Sequence, residues 1–320
     1  MLSSVNNTPV YPISLGGAGL GSCEEKVFFS KPVSDHTAIE TVLFALENKI
    51  NLIDTSPFYG NSEKKIGIAL KEYNNRQSII LSTKAGTHPV YGGYSAEKLQ
   101  RSIDSSLKTL NTDYLDILHI HDPAAKDLDD LLGKGGAMDV LLRMKKEKII
   151  LNIGLGVRDH DLHRKFMASG YADVIMPYMD YNLLRTSAEG LLQEALKNDV
   201  GVMVGSALCM GLLSGKDPAK CEIVHYDIAK EGILEKATEV YNWCLENSID
   251  ILSLNYRFIL DNPAINTIVI GAASKDDVAA SLKAYKEPID TIILESFKSK
   301  FISQTKLRKQ YGKAVTKIQR

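Results

Sequence analysis

Eight short apolar runs alternate with stretches of helical spacing along almost the whole sequence, and few architectures accommodate such a pattern. The runs fall at residues 13–15, 52–55, 79–84, 115–121, 150–154, 174–176, 201–205 and 267–270. Between them, Leu99, Ile103, Leu107 and Leu110 recur at helical intervals and predict one buried helix face. Ile66, Ala69 and Leu70 repeat the logic, as do Leu191, Leu192, Ala195 and Leu196. Ser62 and Ser95 stand where N-caps belong, although Lys65 and Lys98, three residues on, leave each short of a capping box. Parallel strands need a crossover and the crossover is usually a helix, so the alternation predicts an all-parallel α/β sheet. By itself it admits a closed barrel or an open doubly wound sheet. No linker of Pro, Gly or Ser divides the 320 residues and no repeat of solenoid period appears, so one domain spanning 1–320 is expected.

The bulk composition removes several classes of function. With 44% hydrophobic residues, 24% charged residues and a net charge of −1, nothing suggests a nucleic-acid or anionic-membrane partner. The longest apolar runs, such as Ile149-Ile150-Leu151, are far too short to span a bilayer. The first residues lack both a basic region and an apolar region, so no signal peptide is expected. Cys23, Cys209, Cys221 and Cys244 are scattered, with no C-x-x-C and no metal-like pairing with His. They read as reduced thiols of a cytoplasmic protein that holds no metal. From about residue 296 the chain becomes a basic tail, with eight Lys or Arg and no acid between Lys298 and Arg320. A solvated amphipathic end with Phe297 and Phe301 packed down accounts for it better than an anion-binding role. Trp243, in a helical stretch, reads as outer packing.

Asp54, Lys84 and His121 end three successive apolar runs, the second, third and fourth. Turn-rich stretches at 86–94 and 215–228 follow the third and seventh. In a barrel, the strand C-terminal ends and the loops beyond them form the mouth, where active sites are built. Each residue has an ordinary account: an Asp can cap a turn, a lone Lys is usually solvated, and a His beside Pro can satisfy a loop. Their joint placement carries the argument. Tyr59, in the tight turn Pro57-Phe58-Tyr59-Gly60, would project over the same mouth. A phenol is a poor acid at its ordinary pKa of about 10. A nearby ammonium would lower that value and a carboxylate would hold the ammonium. Lys84 and Asp54 supply these groups, and His121 supplies an N–H to align a carbonyl oxygen. Together they make a proton-transfer site for carbonyl reduction or its reverse. Phe58, Phe28, Phe29, Tyr91 and Tyr94 could line a pocket, though aromatics near loops are more often simple packing.

With these residues in place, the sequence resembles the aldo-keto reductase family. The matching stretches are Asp54-Thr-Ser-Pro-Phe-Tyr-Gly60, Ser82-Thr-Lys84, Tyr114-Leu-Asp-Ile-Leu-His-Ile-His121, Asn152-Ile-Gly154, Ser206-Ala-Leu-Cys-Met-Gly-Leu-Leu-Ser-Gly215 and Asn262-Pro-Ala-Ile-Asn-Thr-Ile-Val-Ile-Gly271. They run in family order from roughly residue 12 to 285. The resemblance implies a (β/α)₈ TIM barrel and hydride transfer between a nicotinamide cofactor and a carbonyl or alcohol. It places the catalytic Asp, Tyr, Lys and His on Asp54, Tyr59, Lys84 and His121. His119 shares a strand face with His121. Spacing from Asp116 makes His121 the catalytic one and His119 an inner-layer residue satisfied by neighbours, within reach of the substrate pocket. The phrase His119-Ile-His121-Asp122-Pro123 is similar to the subgroup that oxidises sugars at C1, such as galactose, fucose and arabinose dehydrogenases. Phe58, His119 and Asp122 are the substrate contacts this implies.

The cofactor site is expected from the same resemblance. Gly16, Gly17, Gly19 and Gly21 do not make a Rossmann fingerprint, because Ser22 stands where a third glycine is needed. They read as turn glycines, with Gly17 and Gly19 approaching the nicotinamide. Ser206, Leu208, Gly211 and Leu212 match the loop that wraps the pyrophosphate. Gly271, Ser274, Lys275 and Asp277 open a helix whose backbone N–H groups suit an anion. Asp277 takes the place of a frequent phosphate-binding Arg, and Gly271 that of a frequent Lys. This electrostatic balance predicts NAD(H) over NADP(H). The family's Ser-Asn pair falls on Gly156 and Val157, its ring-stacking aromatic on Gly205, and its usual Gln on Tyr178. The leading expectation is an NAD-dependent enzyme that oxidises an aldose at C1. A general NADPH-dependent aldehyde or ketone reductase is the alternative within enzymes. A cofactor-sensing binding protein is the alternative outside them, since some relatives serve as channel subunits.

Overall fold

The computed structural model describes residues 4–5, 8–21, 32–221 and 232–303. Cys23, Phe28, Phe29, the latter half of the 215–228 stretch and the tail beyond 303 lie outside the described residues. Eight parallel strands close into a barrel: β1 (Ile13–Gly16), β2 (Leu52–Asp54), β3 (Ile80–Ala85), β4 (Leu115–His121), β5 (Ile150–Gly156), β6 (Val174–Met176), β7 (Gly201–Val204) and β8 (Thr267–Gly271). β8 returns to β1, with Ile268 opposite Ile13 and Gly271 opposite Gly16. Closure pairs the two edges that an open sheet would leave with unmet N–H and C=O groups. Each strand lies where an apolar run predicts it, to within two residues at either end.

Helices cover the barrel: α1 (Asp35–Glu47), α2 (Ser62–Tyr73), α3 (Ala96–Leu110), α4 (Ala125–Leu132), α5 (Met138–Lys146), α6 (His160–Ala168), α7 (Glu189–Lys197), α8 (Ile233–Glu246), α9 (Ile251–Leu260), α10 (Lys275–Lys286) and α11 (Thr291–Phe297). α3 buries Leu99, Ile103 and Leu110 and starts at Ser95, whose hydroxyl accepts from the Lys98 N–H. Ser62 does not cap α2. The cap position is Asn61, and Ser62 is fully buried with its hydroxyl 2.9 Å from Thr55 Oγ1. A hydroxyl engaged there is not available to the helix start.

Side chains alternate between the interior and the helices, so each strand contributes every second residue to the barrel core. Leu52, Ile80, Ile117, Val174, Met203 and Val269 belong to an apolar cluster inside the barrel, with Val10 against it. Ionisable residues of β2, β3 and β4 stand above this plug. Below it, Arg76 clamps the strand starts: its Nη2 donates to Asp116 Oδ2 at 2.7 Å and to Tyr114 O at 2.9 Å. Asp116 Oδ2 also accepts from the Leu81 N–H at 2.9 Å, so one carboxylate ties β3 to β4. Near the C-terminus, Trp243 of α8 packs edge-on to Phe301 and tilted on Phe297, and Phe297 stacks on Phe301. The aromatic half of the expected packing is therefore present. Among the described residues, no helix is long and apolar enough to cross a membrane.

Candidate active site

The strand ends bring three of the four expected groups together directly. Asp54 and Lys84 are both buried, at 3% and 2% exposure. Lys84 Nζ donates to Asp54 Oδ2 at 2.5 Å and to Thr55 O at 2.8 Å, while Asp54 Oδ1 accepts from Ser82 Oγ at 2.7 Å. A buried charge is tolerable only when paired and hydrogen-bonded, and this pair meets both conditions. The half-buried Tyr59 leans over it, its ring centroid 5.0 Å from Lys84 Nζ. The turn that carries Tyr59 is held by close packing: a Cβ at Gly21 would lie 1.8 Å from the Tyr59 carbonyl oxygen, so only glycine fits.

His121 completes the group, its ring edge-on to Tyr59 with centroids 5.9 Å apart. Its Nδ1 faces two hydroxyls, Thr87 Oγ1 at 2.6 Å and Ser56 Oγ at 3.4 Å. Ser56 Oγ already accepts from the Phe58 N–H, which leaves its proton for the imidazole. Two hydroxyl donors at Nδ1 favour the tautomer with its proton on Nε2. Burial, reinforced by the Lys84 charge, pushes the His121 pKa down to about 3, so the ring is neutral. Tyr94 donates to the His121 carbonyl oxygen at 2.6 Å, so its hydroxyl is committed to the backbone.

Tyr59 departs from the sequence expectation. Its pKa is raised well above the ordinary phenol value, first by burial and then by the Asp54 and Asp122 carboxylates. The Lys84 charge does not reverse this, because Asp54 already engages it and the phenol has lost water. The site therefore holds Tyr59 as a protonated donor.

His119 also departs from expectation. It is fully buried a layer below His121, with no exposed surface toward the mouth, and neither ring nitrogen has a hydrogen-bond partner. Neighbours do not satisfy it, because its partner on β5 is Gly154, which offers no side chain. A Cβ at Gly154 would stand 2.4 Å from His119 Nδ1. Phe58 is 41% exposed and edge-on to both Tyr59 and His121, on the outer wall of the mouth. Asp122 follows His121, with its Oδ2 3.6 Å from Nε2 and its Oδ1 accepting from Tyr178 Oη at 3.4 Å.

A proton donor, a neutral imidazole N–H and a buried ammonium–carboxylate pair at one barrel mouth suit a carbonyl–alcohol interconversion. The Aldo/keto reductase family pattern matches residues 12–300 of the chain. The chain belongs to the aldo/keto reductase family. It is 31% identical over 294 residues to the L-galactose dehydrogenase of Arabidopsis thaliana, covering 89% of this chain and 88% of that one. It is 29% identical over 270 residues to the NADH-specific methylglyoxal reductase of Escherichia coli (strain K12), covering 77% and 82%. The solved glycerol dehydrogenase of Gluconobacter oxydans superposes with a TM-score of 0.74 at 21% identity, over 92% of this chain and 94% of that one, and shares the fold. This aldo/keto reductase is an NAD(P)-dependent oxidoreductase.

The other expected contacts fall around the mouth. Gly17 is buried, and a Cβ there would meet Ser62 Oγ at 2.4 Å; Gly19 lies in the same turn. Tyr178 bridges to Gly205. After β7, Ser206, Cys209, Met210 and Gly211 all adopt positive φ, a concentration of left-handed backbone that functional loops tend to hold. Leu208 and Gly211 are partly exposed, but Leu212 is fully buried, so its side chain belongs to the core and only its main chain remains for a ligand. Gly271 ends β8 exposed, and Ser274 caps α10 by accepting from the Asp277 N–H. Asp277 Oδ2 in turn accepts from the Ala273 N–H at 2.9 Å. Lys275 Nζ lies 4.0 Å from Glu40. Among the described residues, no group of three or more His, Cys, Asp and Glu is placed to hold a metal ion.

The sequence does not single out Thr87 or Ser56, and it offers Tyr94 only as an aromatic that could line a pocket. Thr87 falls in a stretch read only as a loop, and Ser56 is one of two hydroxyl residues, with Thr55, between β2 and Pro57. Which hydroxyl meets the imidazole is decided by how the loop folds back.

Proposed function

We propose that this aldo/keto reductase oxidises an aldose, or a similar hydroxyl or hemiacetal carbon, at C1 with NAD. The observation that carries the reading is the convergence of Tyr59, His121 and the Lys84–Asp54 pair beside the half-exposed carboxylate of Asp122. A polar mouth of this kind suits a hydroxyl-rich substrate, and the L-galactose dehydrogenase relative acts on one by name. Phe58 offers an apolar face to the sugar ring. His119, sealed beneath, offers the substrate no exposed surface.

The mouth also fits a nicotinamide. A Cβ at Gly156 would meet nothing nearer than His119 Cβ at 3.8 Å, so this part of the wall is open to a flat ring. Tyr178, beside Gly205, supplies an aromatic surface there, with Gly17 and Gly19 in the turn opposite. Ser206, Leu208, Gly211 and the Leu212 main chain would follow the pyrophosphate. Gly271, Ser274, Lys275 and Asp277 would meet the adenosine end. When bound, the cofactor accepts or returns the hydride. The protein supplies the rest: His121 Nε2–H orients the reacting oxygen, Tyr59 Oη exchanges the proton with it, and Asp54 holds Lys84 under the phenol.

The α10 entrance supports the NAD reading. Asp277 occupies the Ala273 N–H and repels a 2′-phosphate, and Lys275 leans toward Glu40. The methylglyoxal reductase relative is NADH-specific by name. A second reading, carbonyl reduction, is favoured by the protonated state of Tyr59. The deciding experiment is a panel of aldoses and aldehydes run in both directions with NAD(H) and NADP(H). Aldose oxidation with NAD is expected. Turnover confined to NADPH and simple carbonyls would overturn the first reading, and cofactor binding without turnover would indicate a sensor.

A further inference from the structure

His121, the last residue of β4, and Asp122, which follows it, set two polar atoms side by side at the mouth. His121 Nδ1 is committed to Thr87, which leaves Nε2–H facing outward. Asp122 Oδ2 lies 3.6 Å from that Nε2, too far for a direct hydrogen bond. The other carboxylate oxygen is held by Tyr178 Oη at 3.4 Å. Asp122 has a φ of +44°, a left-handed conformation that Asp and Asn adopt more readily than other residues with a side chain. Its N–H is fixed to Gly156 O at 2.9 Å. This backbone geometry turns the carboxylate back beside the imidazole, although its side chain is still 43% exposed and accessible. Burial also raises the Asp122 pKa, against the opposing pull of the Tyr178 hydrogen bond and the Lys84 charge.

We infer that His121 and Asp122 together read a vicinal pair of oxygens, so that the enzyme selects substrates with a hydroxyl on the carbon next to the reacting one. Nε2–H donates to the reacting oxygen while Asp122 Oδ2 accepts the neighbouring O–H. Oxygens on adjacent carbons are one C–C bond apart, which matches two groups set just beyond mutual bonding distance. A substrate with hydrogen at that carbon would cover the carboxylate without giving it a donor, and a 2-oxoaldehyde would set lone pairs against it. Sites built to bond a hydroxyl reject both kinds of analogue strongly. The inference rests on the carbonyl–alcohol chemistry proposed above and narrows it to 2-hydroxyaldehydes and aldoses.

The test is NADH-dependent reduction of lactaldehyde and of propionaldehyde, which differ by one hydroxyl at C2. The ratio of kcat/KM values should favour lactaldehyde by about a hundredfold or more in the native enzyme. Asp122→Asn keeps the shape and the left-handed backbone but loses the charge, and should lower the ratio about tenfold. Asp122→Gly, equally at home at positive φ, should bring it close to one. A purely structural role would slow both aldehydes alike and leave the ratio in place. A native ratio near one, a ratio that survives Asp122→Gly, or failure to reduce either aldehyde would overturn the inference. If the ratio behaves as expected but no aldose is oxidised, the C1-oxidation reading falls and the Asp122 assignment stands.

Discussion

Protonation at the mouth is set by burial more than by nearby charge. Tyr59 keeps its proton and His121 stays neutral, each because losing water disfavours its charged form. Two expectations follow for kinetics. Tyr59→Phe should lower turnover at least about a hundredfold while cofactor affinity, measured by fluorescence quenching, changes little. Reduction, which needs the phenol protonated and the imidazole neutral, should be flat between about pH 5 and 9. Oxidation, which needs Tyr59 as the phenolate to accept the alcohol's proton, should rise with pH throughout that window. An inflection of the reduction profile near neutrality would mean that Lys84 lowers the phenol after all. Thr87 offers a separate test, since it acts only through His121 Nδ1. Thr87→Val should cut kcat/KM about five- to tenfold, the scale of one hydrogen bond. Thr87→Ser should restore most of the loss, and a ¹⁵N spectrum should show the imidazole losing its Nε2–H tautomer only in the valine variant.

At the scale of elements, the strand starts are tied as firmly as the strand ends are specialised. Arg76 reaches Asp116, Tyr114 O and Ile79 O, and it lies 4.0 Å over the Tyr114 ring. Asp116 is raised by burial and eased chiefly by Arg76. Arg76→Ala would leave that carboxylate buried without its cationic partner, held by backbone N–H groups such as that of Leu81, at a cost of about 2–3 kcal/mol after allowing for partial solvent access. A urea melt should show the lower midpoint with an unchanged slope, and activity at low denaturant should persist because the site is at the other end. A midpoint shift under about 0.5 kcal/mol equivalent would show that water replaces the guanidinium. Local motifs proved readable where a residue acts within its own element. Ser95 caps α3 as its position predicts, whereas Ser62 fails to cap α2 because tertiary packing takes its hydroxyl.

At the scale of the molecule, cofactor binding should be visible as stability. A ligand at about 100 times its Kd stabilises the folded state by about 2.7 kcal/mol, so NADH should raise Tm more than NADPH at equal concentration. Asp277→Arg should narrow or reverse that difference by replacing a carboxylate with a cation at the α10 entrance; no change would place the 2′-hydroxyl elsewhere. The alternation of apolar runs and helical stripes was enough to determine eight parallel strands and their helices, because side-chain periodicity is a local property of the chain. Asp54, Lys84 and His121 were legible for the same reason, since each ends a run and strand ends gather at one rim. Closure into a barrel needed more than periodicity: it appears in the pairing of Gly271 with Gly16, two residues remote in sequence. The raised phenol, the neutral imidazole, the Thr87 bond and the orphaned His119 were decided only by tertiary structure. Each depends on which atoms lose water and which neighbours the closed barrel sets against them.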